Sequence, residues 1–568
     1  MNNVIDVQNV TFTYPGETRP SLRNMSFSVQ KGEFLAVIGG NGSGKSTLCK
    51  LFNGLIPHYY TGDFEGSVIV NGLQAADSSV ADLSSHVGYV YQDFENQLVQ
   101  ARVLEDAAFA PLHFGFPDYE ERARQALSLV ELDQCEDEFI WQLSGGQKHL
   151  LALAGCLSLQ PDILVLDEPI AQLDPHHARK MYKILETLNK QHGKTIIVIE
   201  HHTEFIADYC SSVLLVDEGK AVWKKPVKEA LTAVDELTKR GIYPPQVTQA
   251  ARELGLGGML PVTLEEADEY FKALFLEKRA PLENKPNEIE GEPAARFENA
   301  EFFYKTINRT VTPVLKDITV TFYKGEKVAL VGNNGAGKST LLRLLTGFRK
   351  PAGGSVSVLG QTTAGLTPEQ LADKVTYIYQ NPEQMFIEDS VRKDVEFFLK
   401  ARRIKDFESR VDRILEQFHL TDLQHKDSRL MSGGQQRRAS LAIGAAMNPA
   451  IILLDEPTAN LDIATRKQLT GFIDQLKEHT ELVMIATHDM QLVSEWATRV
   501  IVMHEGGIIY DGSKEELFSN MFLMKKAGLV PPQIVELSHR LGLFPAAYSI
   551  DSFINLYREA ESWITQKI

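Results

Sequence analysis

Short apolar runs alternate with amphipathic stretches along most of the chain. FLAVIGG begins at Phe34, ILVLDE at Ile163 and TIIVIE at Thr195, and helical sequence separates these runs. Strand-like segments that alternate with helical stretches are typical of βαβ units. The pattern therefore predicts an α/β fold in which helices pack against a parallel sheet.

The α/β pattern occurs twice, and a shorter helical segment follows it each time. The two helical segments share a PPQ string, which includes Pro245 and Pro532, and a later LGL string. Between the halves, the polar stretch APLENKPNEIEGEPA has no periodicity and is typical of a linker. We predict α/β domains at 1–224 and 295–512, helical subdomains at 225–279 and 513–568, and a linker at 280–294.

Recurring strings indicate that the chain is a tandem duplication. GGNGSGKST begins at Gly39, and GNNGAGKST begins at Gly332. Ser144 and Ser432, which open the two SGGQ strings, lie 288 positions apart, and the strings after them keep nearly the same offset. The first copy has a longer insert, IPHYYTGDFEG, after its glycine loop, which explains the different offset of the loops.

The composition narrows the class of partner. The chain has 568 residues, of which 43% are hydrophobic and 23% are charged, as in ordinary globular proteins. Its net charge of −17 disfavours nonspecific binding to nucleic acid, which needs a basic face. The four cysteines have no metal-ligand spacing, and no apolar run is long enough to cross a bilayer. We therefore expect no nucleic-acid partner and no transmembrane segment.

Each copy has a glycine loop between an apolar strand and a helix, and the loop fits the pattern G-x-x-x-x-G-K-[ST]. Glycines let backbone N–H groups turn towards phosphates, and the helix N-terminus adds its positive dipole end. In this motif the lysine reaches the β- and γ-phosphates and the next hydroxyl ligates Mg²⁺. A glycine-rich turn that binds nothing is the alternative. The predicted ATP-binding residues are Asn41, Gly42, Ser43, Gly44, Lys45, Ser46 and Thr47, and in the second copy Asn334, Gly335, Ala336, Gly337, Lys338, Ser339 and Thr340.

A second apolar strand in each copy ends in two carboxylates, Asp167 and Glu168 in the first and Asp455 and Glu456 in the second. A buried strand seldom ends in this way unless a cation offsets the charge. We predict that the aspartates hold Mg²⁺ through water and that the glutamates are catalytic, because they can polarise an attacking water. A solvated acidic loop is the alternative.

Histidine and glutamine residues also recur in register with these motifs. His201 and His488 each follow an apolar strand, where a lone histidine is usually a packing or capping residue. Because the other motifs accompany them, we assign them a catalytic contact with the γ-phosphate. Gln92 and Gln380, in the strings YVYQ and YIYQ, are predicted ligands of Mg²⁺ or of its water.

Together the strings resemble the motifs of ATP-binding cassette (ABC) ATPases. The glycine loops match Walker A, the strands with two carboxylates match Walker B, and LSGGQ and MSGGQ match the signature motif. The resemblance implies ATP and Mg²⁺ as cofactors and ATP hydrolysis as the reaction. It also implies that Tyr14 and Tyr304 stack on adenine, and that ATP contacts the signature residues Ser144, Gly145, Gly146, Gln147, Ser432, Gly433, Gly434 and Gln435.

The same resemblance explains why the motifs occur twice. In ABC ATPases two cassettes face each other head to tail, and the signature motif of one closes over the ATP that the other holds. One site would therefore pair Lys45 with Ser432, and the other would pair Lys338 with Ser144. Both copies keep the lysine, the glutamate and the histidine, so we predict two hydrolytic sites.

We call the segments that follow Gln92 and Gln380 the Q-loops. Their sequences resemble the corresponding segment in the ATPases of energy-coupling factor (ECF) importers. DFENQLV follows Gln92 and NPEQMFI follows Gln380, which is similar to the Q-N-P-x-N-Q-x-[FV] string of that family. VLEDAAFAP from Val103 and the two PPQ tails also resemble it. Two positions depart from the string, since Phe94 replaces the expected proline and Met385 the expected glutamine.

The ECF resemblance implies a fused pair of ATPases, peripheral at the cytoplasmic face of the cell membrane. Its partners would be a membrane coupling (T) protein and a small membrane substrate-binding (S) protein, and the cargo a vitamin, a vitamin precursor or a metal ion. Two rivals remain. A fused sugar-import ABC ATPase commonly has a degraded second site, and a soluble tandem-cassette translation factor carries a long charged arm between its cassettes. The intact second site and the short linker disfavour both.

Overall fold

The computed structural model describes residues 3–171, 173–255, 257–272, 291–305, 311–459, 461–476 and 480–567. The chain divides into two compact units, Met1–Tyr270 and Phe271–Ile568. Each unit contains two β-sheets with helices between the strands, and further helices follow the last strand, so the predicted fold class is confirmed. Residues 280–290 of the predicted linker lie outside the described residues.

The strands of the first unit form an antiparallel sheet with the order β2-β1-β4-β5 and a second sheet with the order β10-β9-β3-β8-β7-β6. The second sheet is parallel except for β10. The strands are β1 Asn3–Thr13, β2 Leu22–Gln30, β3 Phe34–Ile38, β4 Asp63–Val70, β5 Leu73–Gln74, β6 Val87–Val90, β7 Ile163–Asp167, β8 Thr195–Ile199, β9 Ser212–Asp217 and β10 Lys220–Pro226.

The helices of the first unit connect these strands and then continue beyond β10. They are α1 Lys45–Phe52, α2 Leu55–His58, α3 Val80–Ser84, α4 Val103–His113, α5 Tyr119–Leu129, α6 Gly145–Leu157, α7 Pro175–Lys190, α8 Thr203–Tyr209, α9 Val227–Leu231, α10 Val234–Thr238, α11 Gln246–Leu254 and α12 Leu264–Lys272. Helix α1 begins at the glycine loop and α6 begins within the SGGQ string.

The parallel sheet of the first unit separates two hydrophobic cores. Alternate residues of β3 point to opposite faces, as strand geometry requires. Phe34, Ala36 and Ile38 pack in the core that contains α4 to α7. Leu35 and Val37 pack in the core that contains the antiparallel sheet and α1. The strand is apolar throughout because both of its faces are buried.

The second unit repeats this architecture, with sheets in the orders β12-β11-β14-β15 and β16-β17-β18-β13-β19-β20. Its strands are β11 Pro293–Lys305, β12 Val311–Tyr323, β13 Lys327–Val331, β14 Gly353–Val358, β15 Gln361–Thr362, β16 Val375–Ile378, β17 Ile451–Asp455, β18 Leu482–Thr487, β19 Arg499–His504 and β20 Gly507–Ser513. Its helices are α13 Lys338–Leu345, α14 Pro368–Leu371, α15 Val391–Ala401, α16 Glu408–Gln417, α17 Gly433–Ala446, α18 Ile463–Leu476, α19 Met490–Trp496, α20 Lys514–Ser519, α21 Met521–Lys526, α22 Gln533–Arg540 and α23 Ile550–Lys567.

The two PPQ strings have the same structural role. Pro245 is the N-cap of α11 and Pro532 is the N-cap of α22, so each string starts a helix of the segment that follows the cassette. Proline suits this position because its missing N–H group would have no partner in the first turn of a helix. Within the described ranges, no helix combines the length and apolar composition that a membrane crossing needs.

Candidate functional site

The glycine loops lie at the carboxyl ends of β3 and β13, where α1 and α13 begin. Gly44 and Gly337 precede these helices with φ angles of 100° and 103°. A Cβ atom at Gly44 would lie 2.6 Å from the carbonyl oxygen of Ser21. Only glycine adopts this backbone without strain. Each loop therefore wraps around a helix N-terminus, an arrangement that binds phosphate groups.

The lysine of each loop is buried and lies over the loop. Nζ of Lys45 donates to the carbonyl oxygens of Gly39 and Gly40, both at 2.9 Å. Nζ of Lys338 donates to the carbonyl oxygen of Gly332 at 2.7 Å. Both ammonium groups are thus at the centre of their loops, where a Walker A lysine meets the β- and γ-phosphates.

The Walker B aspartates lie at the ends of β7 and β17, beside the serine that follows each lysine. Oγ of Ser339 donates to Asp455 at 3.0 Å, and Ser46 forms a hydrogen bond with Asp167. Burial raises the pKa of Asp167 above its ordinary value, although the Ser46 bond opposes this shift. A buried carboxylate of this kind is stabilised by a cation. A hydroxyl beside a carboxylate is also a donor set that suits Mg²⁺.

Glu168 and Glu456 follow these aspartates in the left-handed backbone region, with φ angles of 53° and 46°. A non-glycine residue in that conformation costs about 1–2 kcal/mol, and such strain clusters at functional sites. Nε2 of His201 lies 3.0 Å from Glu168, and Nδ1 of His488 lies 3.0 Å from Glu456. The structure therefore brings the predicted glutamate and histidine together in both units.

The histidines favour the charged form of these glutamates. Burial by itself would raise the pKa of Glu168 and of Glu456. Hydrogen bonds and charge from the histidines, together with the nearby lysines, hold both pKa values below the ordinary value. Burial would also lower the pKa of His488, but Glu456 raises it. An ionised carboxylate can accept a hydrogen bond from an attacking water.

The Q-loop glutamines are placed differently in the two units. Nε2 of Gln92 donates to Glu168 at 2.7 Å. No corresponding bond from Gln380 to Glu456 occurs in the part of the chain that the structure describes. Glu456 instead accepts a hydrogen bond from Oγ1 of Thr487 at 3.1 Å. The structure thus brings Gln92, but not Gln380, to the glutamate of its unit.

The serine and glutamine of each SGGQ string form a capping box at the start of α6 or α17. Oγ of Ser144 accepts from the backbone N–H of Gln147 at 3.3 Å, and Oε1 of Gln147 accepts from the backbone N–H of Ser144 at 2.9 Å. The second unit repeats both bonds. A Cβ atom at Gly146 would lie 2.7 Å from the ring of His177, so this position needs glycine. The string therefore builds an exposed helix N-terminus that is suited to an anion.

The predicted adenine-stacking tyrosines lie beside the helices that follow the glycine loops. The hydroxyl oxygen of Tyr14 is 3.3 Å from Oγ1 of Thr47. Tyr304 forms a hydrogen bond with Arg343 of α13, and its ring packs edge-on against Phe302 at 5.0 Å. Both rings are partly buried, so each keeps an accessible surface.

Sequence reasoning missed three polar residues next to these motifs. The hydroxyl groups of Tyr89 and Tyr377 donate to the two Walker B aspartates, and the repeated YVYQ and YIYQ strings could have revealed them. Glu200 is buried immediately before His201. The sequence could have revealed Glu200, because it is a carboxylate at the end of an apolar strand. The second copy has Thr487 at the same position.

Comparisons with known proteins show the family of this chain. The sequence profile described as ABC transporter matches the chain twice, at residues 22–171 and 315–459. A protein of Methanosarcina acetivorans, named an ABC transporter ATP-binding protein, is 32% identical over 95% of this chain and 89% of its own length. A protein of Methanosarcina mazei with the same name is 30% identical over 100% of this chain and 99% of its own length. This chain therefore belongs to the ABC transporter family, as an ATP-binding and ATP-hydrolysing subunit with two cassettes in tandem.

Proposed function

We propose that this subunit energises an ECF-type importer of a vitamin, a vitamin precursor or a metal ion. It would lie at the cytoplasmic face of the cell membrane, bound to a membrane coupling (T) protein and a small substrate-binding (S) protein. For this role we propose cassettes at 1–224 and 295–512, helical subdomains at 225–279 and 513–568, and a linker at 280–294.

The segment after Gln92 is the observation that carries the proposal. It resembles the ECF string, and the second glutamine of that string, Gln97, binds the end of β6. Oε1 of Gln97 accepts from the backbone N–H of Tyr91 at 2.8 Å, and its Nε2 donates to the carbonyl oxygen of Tyr89 at 2.9 Å. The residue that distinguishes the ECF string thus positions the backbone next to Gln92, which supports a specific role for the string.

Exposed apolar side chains lie close to this segment in both units. Val99 and Trp141 are 57% and 66% exposed, and Ile387 and Leu430 are 52% and 87% exposed. In the first unit a β-bridge between Arg102 and Phe139 places the segment that contains Val99 beside the segment that contains Trp141. A single exposed apolar residue is ordinary, but grouped ones indicate an interaction surface. We assign this surface to the membrane coupling protein.

Within each site, residues of the chain would bind ATP and orient water. Mg²⁺ would neutralise charge on the β- and γ-phosphates. Its proposed ligands, directly or through water, are Ser46, Gln92 and Asp167 in the first unit and Ser339, Gln380 and Asp455 in the second. Glu168 would accept a hydrogen bond from the attacking water while His201 contacts the γ-phosphate, and the second unit would use Glu456 and His488 in the same way.

The two cassettes would share each ATP. We propose that Ser432 completes the site of Lys45 and that Ser144 completes the site of Lys338. The exposure of Gly145 and Gly433 supports this arrangement, because their N–H groups lie at the accessible starts of the signature helices. An anion that approaches these helix starts would be stabilised by the helix dipole.

Purification of the tagged full-length chain from solubilised native membranes tests the proposal. We expect a T protein and a small hydrophobic S protein to co-purify. Trp141→Asp should abolish their recovery, because it places a charge in the proposed contact surface. Val222→Asp is the matched control, since Val222 is an exposed apolar residue on β10 away from the Q-loop.

The two rival functions predict different partners in the same experiment. Recovery of ribosomes in place of small membrane proteins would identify a translation factor and overturn the importer proposal. Recovery of a sugar-import permease would identify a fused sugar-import ATPase and overturn the ECF assignment. Equal recovery with Trp141→Asp and with the control would overturn the assigned surface.

A further inference from the structure

Glu200 is a buried carboxylate at the point where β8 leads into the turn that carries His201. Its exposed fraction is 2%. A carboxylate in such a place must be hydrogen-bonded, because an unpaired buried charge is very costly. In the described part of the chain its carboxylate accepts hydrogen bonds from two elements, the turn itself and helix α7.

The hydrogen bonds of Glu200 hold the backbone of this turn. Oε1 accepts from the backbone N–H groups of His201 at 2.8 Å and of His202 at 2.9 Å. Oε2 accepts from the hydroxyl group of Tyr182 at 2.8 Å. The Tyr182 ring is fully buried and stacks on Phe205 at 4.8 Å, so its hydroxyl has little freedom. Helix α7 therefore anchors the carboxylate, and the carboxylate anchors the turn.

The second unit holds the equivalent turn by other means. Oγ1 of Thr487 accepts from the backbone N–H of Asp489 at 3.0 Å and donates to Glu456 at 3.1 Å. Asp489 caps α19, and its carboxylate forms an ion pair with Arg466 at 3.2 Å and accepts from Thr458 at 3.1 Å. The anchor there is an aspartate after the histidine, in contact with an arginine of α18.

Each unit has the residues for its own anchor and lacks those for the anchor of the other unit. The first unit has Ala178, Tyr182, Glu200 and His202 where the second has Arg466, Thr470, Thr487 and Asp489. Ala178 offers no partner to an aspartate, and Thr470 cannot reach as far as the Tyr182 hydroxyl. The four positions thus form two matched sets. One set supports a carboxylate before His201, and the other supports a carboxylate after His488.

We propose that Glu200, held by Tyr182, is a positioning residue of the first ATP site, which fixes the turn so that His201 meets Glu168. This inference rests on the proposed roles of His201 and Glu168. Thr487 donates to Glu456 directly, whereas the two oxygens of Glu200 are engaged by the turn and by Tyr182. The effect of Glu200 must therefore pass through the backbone of the turn.

Substitutions of Glu200 in the full-length chain test the inference. Glu200→Leu removes the acceptor of the two N–H groups, whereas Glu200→Gln keeps one oxygen for them. Glu186→Gln is the matched control, because Glu186 is a half-buried glutamate of α7 that pairs with Lys183 and Lys190 of the same helix. The measurements are kcat and KM for ATP, normalised by titration with a nonhydrolysable analogue, and hydrogen–deuterium exchange of the peptide that contains His201 and His202.

We expect Glu200→Leu to lower kcat by about two-fold or more, with KM within about two-fold, because misplacement of a catalytic group affects turnover more than binding. Exchange at His201 and His202 should become about ten-fold faster or more, since those amides lose their acceptor. Glu200→Gln should restore both kcat and slow exchange. The control should match the parent chain in every measurement.

The possible results distinguish a failure of the Glu200 inference from a failure of the proposed role of His201. Slow exchange and full kcat in Glu200→Leu would overturn the inference. A Glu200→Leu chain that loses protection throughout the first unit, with Glu200→Gln no better, would show a role in folding only and would also overturn it. His201→Ala provides the remaining arm. If it leaves kcat unchanged, the proposed role of His201 fails. If it lowers kcat while Glu200→Leu does not, only the inference fails.

Discussion

The glycine loops of the two ATP sites have the same geometry, but the surroundings of the two glutamates differ. Nζ of the loop lysine lies 2.9 Å from the first carbonyl of the loop in one unit and 2.7 Å in the other. The side chain of Glu168 is 20% exposed and contacts the Q-loop, whereas that of Glu456 is 8% exposed and lies 3.7 Å from Nζ of Lys338. The second glutamate is thus enclosed by its own cassette, while the first is joined to a surface segment.

This difference shows which parts of an ATP site depend on local sequence. The loop and the signature helix are stabilised by residues a few positions apart, so both copies build them alike. The region around the glutamate depends on side chains from separate elements, and there the copies have diverged. The first site therefore couples its glutamate directly to the Q-loop segment that we assign to partner binding.

The largest expected effect comes from substitution of the two glutamates themselves. Glu168→Gln and Glu456→Gln each remove one carboxylate while preserving size. We expect each change to lower ATP turnover, and the double change to lower kcat by about 100-fold or more, because no general base remains. Steady-state phosphate release measures this. Full activity in one single variant together with complete loss in the other would contradict two hydrolytic sites.

A smaller effect concerns a pair of residues that only the first unit has. Phe94 and His149 are buried, their ring centroids lie 3.5 Å apart, and burial lowers the pKa of His149 to about 4. The second unit has Pro382 and Arg437 at these positions. Nη1 of Arg437 donates to a backbone carbonyl beside the Q-loop glutamine at 3.1 Å.

We expect His149→Arg to destabilise the first unit by about 3 kcal/mol, because a buried charge would lie against the Phe94 ring. Adding Phe94→Pro should recover about 1–2 kcal/mol, since contacting residues are not additive. Urea unfolding of the single and double variants measures the coupling. Strictly additive effects would show that the two positions changed independently.

The next effect depends on pH and occurs in the first unit alone. Burial raises the pKa of Glu200 from its ordinary value of 4.5 to about 7, although hydrogen bonds from His202 and Tyr182 oppose the shift. Between these pH values the folded chain holds a proton that the unfolded chain has lost. The contribution of Glu200 to stability is therefore fully present below pH 4.5 and is lost as the pH rises to about 7. Among the described residues, the titratable groups that interact with Glu200 include Tyr182, His201 and Cys210.

Glu200→Gln should remove this pH dependence and raise Tm at pH 8 by about 5 °C. Differential scanning calorimetry of parent and variant at pH 5 and pH 8 measures it. Oγ1 of Thr470 donates to the backbone carbonyl oxygen of Arg466, so Thr470→Val is the control and should not change the slope of Tm against pH. A Tm difference that is equal at both pH values would contradict a buried titrating carboxylate.

The smallest effect concerns the N-caps of the two signature helices, which should be equivalent in the two units. Ser144→Ala and Ser432→Ala each remove an N-cap and should each cost about 1 kcal/mol of stability in the absence of ATP. Urea unfolding measures both. Costs that differ by more than about 1 kcal/mol would show that the two signature helices are not equivalently capped.

The sequence by itself determined the fold class, the duplication and the positions of the Walker motifs, because each rests on neighbouring residues. A glycine loop between a strand and a helix can fold in few ways, and SGGQ contains its own capping box. The ABC resemblance also grouped Glu168 with His201 and Glu456 with His488. The roles assigned to these residues stay predictions until they are measured.

Only the tertiary structure decided how each site is finished. Glu200 and Tyr182 are 18 positions apart and meet because α7 packs on β8. The left-handed backbone at Glu168 and the bond from Gln92 likewise depend on where separate elements place their ends. Such contacts leave no periodic signal in the sequence, because packing between elements, and not spacing along the chain, brings their atoms together.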